Sequence, residues 1–91
     1  MAKVNSKAPL SAPPQAEAEI RARMELLQAK LNATKIAYLN RMEIGDTVPT
    51  YEDLTDAAKA FIAVNYELQK AIYGSVKLRI SVSKLLRGSN R

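Results

Sequence analysis

The side chains best suited to chemistry in this chain are cationic. Lys70, Lys77, Lys84 and Arg91 recur every seven residues, and Arg79 and Arg87 lie among them. Residues 68–91 carry these six bases and no acid. Residues 17–67 carry nine acids and six bases, and residues 1–16 add Lys3 and Lys7 without an acid. Lysines seven apart stand about 10.5 Å apart along a helix axis. Such a row neutralises phosphates without reading base sequence. Lys70, Lys77, Arg79, Lys84, Arg87 and Arg91 are therefore the candidate nucleic-acid-binding residues. The helix macrodipole offers a plainer account, since bases favour a helix C-terminus. It does not require six of them with no acid over the last 24 residues. An anionic membrane surface is a third target for a basic amphipathic helix. Tyr66 and Tyr73 could stack on bases. They share an apolar strip with Ile62 and Ile80, which gives them the character of core or interface.

Other chemistries lack their residues. The chain has no His and no Cys. That removes the commonest general base, thiolate catalysis and any disulfide scaffold. No nucleophile–base pair, Gly-rich phosphate loop or metal-ligand cluster stands out, so no catalytic residue, metal or cofactor is expected. Asp46, Glu52, Asp53 and Asp56 surround a helix start, where acids serve the dipole. No recognition-helix, aromatic RNA-binding or zinc motif is present. In the apolar region the longest uncharged run is 60–66, far short of the ~20 residues of a spanning helix. No secretory signal is visible near Met1, and a cytoplasmic protein is expected.

Two periodic segments must position the bases. From Ala57 a heptad seam runs through Phe61, Val64, Leu68, Ala71, Ser75, Leu78, Val82 and Leu85 in alternating steps of four and three. It marks a long helix packed along its length. Phe61, Val64, Leu68, Ala71, Leu78, Val82 and Leu85 are the candidate oligomer-interface residues. Gly74-Ser75 is a plausible break, and residues 76–83 alternate apolar and polar as a strand does. Helix is favoured because the heptad phase passes through Gly74 unbroken, but both conformations stay open. A second seam, Ile20, Met24, Leu27, Leu31, Thr34 and Tyr38, marks an earlier helix. Pro13-Pro14 sets its start near Pro14. Glu17/Arg21 and Glu19/Arg23 are spaced as i,i+4 ion pairs. Gly45 is the expected C-cap and Thr50 the next N-cap, with Asp53 three residues on. Ala18, Ala22, Ala29 and Ala33 lie opposite the seam.

The expected architecture is all-α: an antiparallel helical hairpin over 14–91, with helices about 14–44 and 51–87, Gly88 as final cap, and a flexible basic tail over 1–13. Ile62, Tyr66, Tyr73, Val76 and Ile80 form a second apolar strip that two helices alone would leave wet. A homo-oligomer, most simply a four-helix bundle, would cover it. The hairpin would gather the C-terminal bases at one pole with Arg21 and Arg23, and the acids at the other. Two functions follow as expectations: a small helical oligomer binding nucleic acid non-specifically through that pole, or an adaptor docking a protein partner through its seam.

Overall fold

The computed structural model describes residues 14–87, so the tail 1–13, Gly88 and Arg91 lie outside the described residues. Three helices follow one another: α1 (Pro14–Asn40), α2 (Tyr51–Tyr73) and α3 (Val82–Arg87). The fold is an all-α hairpin. Ile20 packs with Val64 and Leu68, while Leu31 packs with Leu54, Ala57 and Ala58. That pairing of early with late makes α1 and α2 antiparallel. Met24, Leu27 and Ala71 complete one cluster, and Tyr38 and Phe61 join the other. Thr34, the polar member of the α1 seam, is buried and donates its hydroxyl to the Lys30 carbonyl at 2.7 Å. A buried hydroxyl needs such a partner.

Local chemistry sets the start of α2. The Thr50 side chain accepts from Asp53 N–H at 3.1 Å, and the Asp53 carboxylate accepts from Thr50 N–H at 2.9 Å. Asp53 thus closes a full capping box, a role more often filled by Glu or Gln.

Both helix ends differ from the sequence expectation. α1 stops at Asn40, not near residue 44. Arg41 takes φ 55°. Its N–H reaches Tyr38 O at 3.4 Å, and Met42 N–H reaches Ala37 O at 2.9 Å. These are the two bonds of a Schellman turn, with Arg41 where glycine is the usual residue. Gly45, the expected cap, instead shapes a small turn with φ 65°. Ile44 and Thr47 bracket that turn and bond N–H to O at 2.8 and 3.4 Å.

α2 stops at Tyr73, fourteen residues short of the expected Arg87. Gly74 adopts φ 84°, ψ −8°, and its N–H caps Lys70 O. The left-handed residue turns the chain back. Residues 75–81 then lie against α2 as irregular chain, neither helix nor part of a sheet, and bend at Ser75 and Leu78. α3 follows, and its Val82, Leu85 and Leu86 pack against the Leu31–Leu54–Ala57–Ala58 cluster. Residues 75–87 thus form a strap that returns along α2 toward its first turns. The strap covers much of the second apolar strip: Ile62, Tyr66, Val76 and Ile80 are all partly buried. Tyr73, the remaining member of the strip, is 52% exposed.

Two substitutions test these left-handed caps in opposite directions. A side chain at φ > 0 costs about 1–2 kcal/mol per residue. Gly74→Ala should therefore lower stability by about that amount, with a melting temperature several degrees lower. Arg41→Gly should raise stability by about 1 kcal/mol, or about 4–8 °C for a domain of this size. Thermal melts of both variants check the pair, and a gain for Gly74→Ala would contradict the fold-back.

Candidate nucleic-acid interface

The strap is held by two side chains of α2. Gln69 is 8% exposed, and all four hydrogen-bonding positions of its amide are filled. Its Nε2 donates to Asn65 Oδ1 at 2.7 Å and to Leu78 O at 2.8 Å. Its Oε1 accepts from Lys77 N–H at 2.7 Å and Leu78 N–H at 2.8 Å. The N–H groups of Lys77 and Leu78 converge on one oxygen, which successive residues of a strand cannot do, so the amide pins a bend of the strap to α2. One turn earlier on α2, the Tyr66 hydroxyl accepts from Ile80 N–H at 2.8 Å and donates to Ile80 O at 3.1 Å. The Arg79 guanidinium lies over the same ring, 5.6 Å from its centroid, a cation–π distance. Lys84 N–H then bonds Ser81 Oγ at 3.1 Å, capping the short α3.

These anchors decide where the bases go. Lys77 lies beside Gln69, Arg79 over Tyr66, and Lys84 and Arg87 on α3 beside the first turns of α2. The stretch of α2 from Gln69 back to Leu54 is about 22 Å long. Lys77, Arg79, Lys84 and Arg87 are exposed along it, and Lys70 is exposed at its far end. No carboxylate pairs with any of these five among the described residues. The ion pairs present there are Arg21–Glu17 and Arg23–Glu67, both at 2.8 Å and both exposed. Arg23 thus reaches across to α2 instead of the expected Glu19. Exposed pairs of this kind contribute about 1 kcal/mol or less.

The expected basic pole is therefore corrected to a basic stripe. A straight helix would have carried Lys84 and Arg87 away from the acids. The fold-back brings them toward the end that holds Glu52, Asp53 and Asp56. Lys77 and Arg79 lie exposed on the irregular chain after Gly74, and Lys84 and Arg87 share one face of α3. The heptad row of lysines does not form, because its members lie on different elements. Arg91 lies outside the described residues.

The seam residues expected at an oligomer interface are packed within the chain. Val64 and Leu68 are buried, and Phe61, Ala71, Val82 and Leu85 are partly buried against α1 and α2. Leu78 is the exception, at 66% exposure. Sequence reasoning passed over Gln69. The available signal was the alternation of residues 76–83, which calls for backbone partners that the chain can supply only from side chains. Among the described residues no His/Cys/Asp/Glu group is placed to hold a metal ion, and no helix is long and apolar enough to cross a membrane. No known protein family, characterised protein or solved structure matches the chain.

Gln69→Leu keeps the side chain's bulk and removes every one of these bonds. It should cost about 1–3 kcal/mol. Amide hydrogen exchange is the discriminating measurement. Protection at Lys77, Leu78 and Ile80 should fall sharply while the middle of α1 keeps its own. Unchanged protection in the strap would show that Gln69 does not hold it.

Proposed function

We propose that this chain is a non-catalytic nucleic-acid-binding protein, an accessory or regulatory factor acting in the cytoplasm, and that the strap is its binding face. One observation carries the reading. Four strap bases and Lys70 stand exposed along one flank of α2, with no carboxylate partner among the described residues. Cations left unpaired over about 22 Å favour a polyanion whose charge repeats every few ångströms. The strap offers no helix for a major groove and no set of base-reading side chains. The contacts are therefore to phosphates, and binding is indifferent to sequence.

The second reading, a protein-docking role, rests on a different surface. Leu26 is 71% exposed and Ile36 56% exposed on the outward side of α1, with Ala22, Ala29 and Ala33 also exposed. Such a face suits a helix of another protein or of a second copy of this chain.

Lys77→Gln with Lys84→Gln separates the two readings. Both residues are exposed, so folding should survive. Wild-type affinity for a duplex should fall steeply with salt. The double variant should lower the log–log slope by roughly one per lost contact. Its affinity should weaken about equally for all sequences. Wild-type binding by the double variant, or no salt-dependent binding at all, would remove the nucleic-acid reading and leave the docking one.

A further inference from the structure

Beside the stripe lies a cleft of about 620 Å³ between the early turns of α1, the late turns of α2 and the start of the strap. That volume falls within the range of sites that enclose small organic groups. Leu68, Ile72 and Leu78 give the cleft its apolar wall, and the polar side of the lining includes Asn65 and Gln69 beside Tyr73, Arg21 and Lys77. The two tyrosines that share a heptad phase have different roles here. Tyr66 has its hydroxyl bonded twice to Ile80 and its ring under Arg79. Tyr73 is 52% exposed at the last turn of α2 and is open to a ligand.

The chemistry of the lining selects a flat, largely apolar ring that carries an anion. Tyr73 offers a π-face, the leucines and isoleucine an apolar wall, and Lys77 a cation without a carboxylate partner among the described residues. Glu17 accepts from both Nε and Nη2 of Arg21 at 3.1 and 2.8 Å, so Arg21 brings little net charge. The Gln69 amide in the wall is already saturated. It has no donor or acceptor left to distinguish one base from another.

We infer that the cleft takes one unpaired nucleobase, stacked on Tyr73, with its phosphate at Lys77. This rests on the nucleic-acid reading above and adds a distinction within it: a single strand fills both stripe and cleft, whereas a duplex meets the stripe alone. A paired base is stacked on both faces and cannot enter the cleft, whereas a base of a single strand can be splayed out onto an aromatic ring. Stacking of this kind accepts any base.

The chain contains no Trp, so Tyr73→Trp in the full-length protein places a lone reporter in the cleft. Oligo(dT) should quench its emission. A duplex with the same number of phosphates should bind, as followed by anisotropy of a labelled strand, without quenching. Tyr73→Leu should bind oligo(dT) roughly tenfold more weakly than wild type and the duplex unchanged. Salt-dependent binding of both nucleic acids without quenching, or an equal loss for both in Tyr73→Leu, would overturn the cleft assignment and leave the stripe standing. If wild type binds neither nucleic acid at low salt, the stripe and the cleft fall together.

Discussion

The structure depends on a single buried amide. Gln69 satisfies two backbone N–H groups and one backbone carbonyl of the strap, and ties Asn65 to the same network. A non-helical segment lying alone on a helix would leave its inward polar groups unpaired, at about 1–3 kcal/mol each where they are buried. Tyr66 repeats the service for Ile80. With both anchors in place, no buried side-chain polar atom among the described residues lacks a partner. The strap can then lie against α2 and bring Val82, Leu85 and Leu86 to the hydrophobic cluster. The positions of Lys77, Arg79, Lys84 and Arg87 follow from that placement.

Two conformations compete for residues 74–87, and magnitudes decide between them. A continuous helix keeps the heptad phase and tolerates Gly74 at a cost of roughly 1 kcal/mol relative to Ala. It projects Leu78, Val82 and Leu85 past the start of α1, where the hairpin has nothing to pack against them. The folded-back form gives glycine a conformation that it adopts freely. It also removes much of three large apolar side chains from water, each worth about 1.5–3 kcal/mol when fully buried. Partial burial of three such side chains outweighs the few tenths of a kcal/mol per residue that helix propensity contributes. Leu78 is the residue that the fold-back leaves in the open. It finds a use as one wall of the cleft.

This competition also explains how much could be read in advance. The α1 and α2 seams, the Thr50 cap and the antiparallel hairpin were legible because periodicity and capping are local signals that the tertiary structure reinforces. The strap was not. Its alternation and its heptad phase are both present in the same eight residues, and nothing local ranks them. The ranking comes from Gln69 and Tyr66, whose spacing of three puts both on one side of α2. That spacing has meaning only once the chain has turned back at Gly74. The end of α1 was hidden for a related reason. Arg41 holds a left-handed conformation that its type disfavours, so the residue gives no stop signal. The candidate site was legible as a list of bases, four of which form the stripe. It was not legible as a geometry.

The fold-back also changes the electrostatics. A straight α2 would have put the late bases at a helix C-terminus, where the macrodipole stabilises them and a structural explanation would suffice. In the observed fold only Lys70 sits in the last turn of a long helix. Lys77 and Arg79 lie on irregular chain with no macrodipole. Lys84 and Arg87 end a helix of six residues, too short for a substantial one. The dipole therefore accounts for one of the five exposed bases. For the other four the fold supplies no intramolecular compensation among the described residues beyond the Tyr66 ring under Arg79. Their charge is exposed to solvent, and the exposure follows from the fold-back at Gly74.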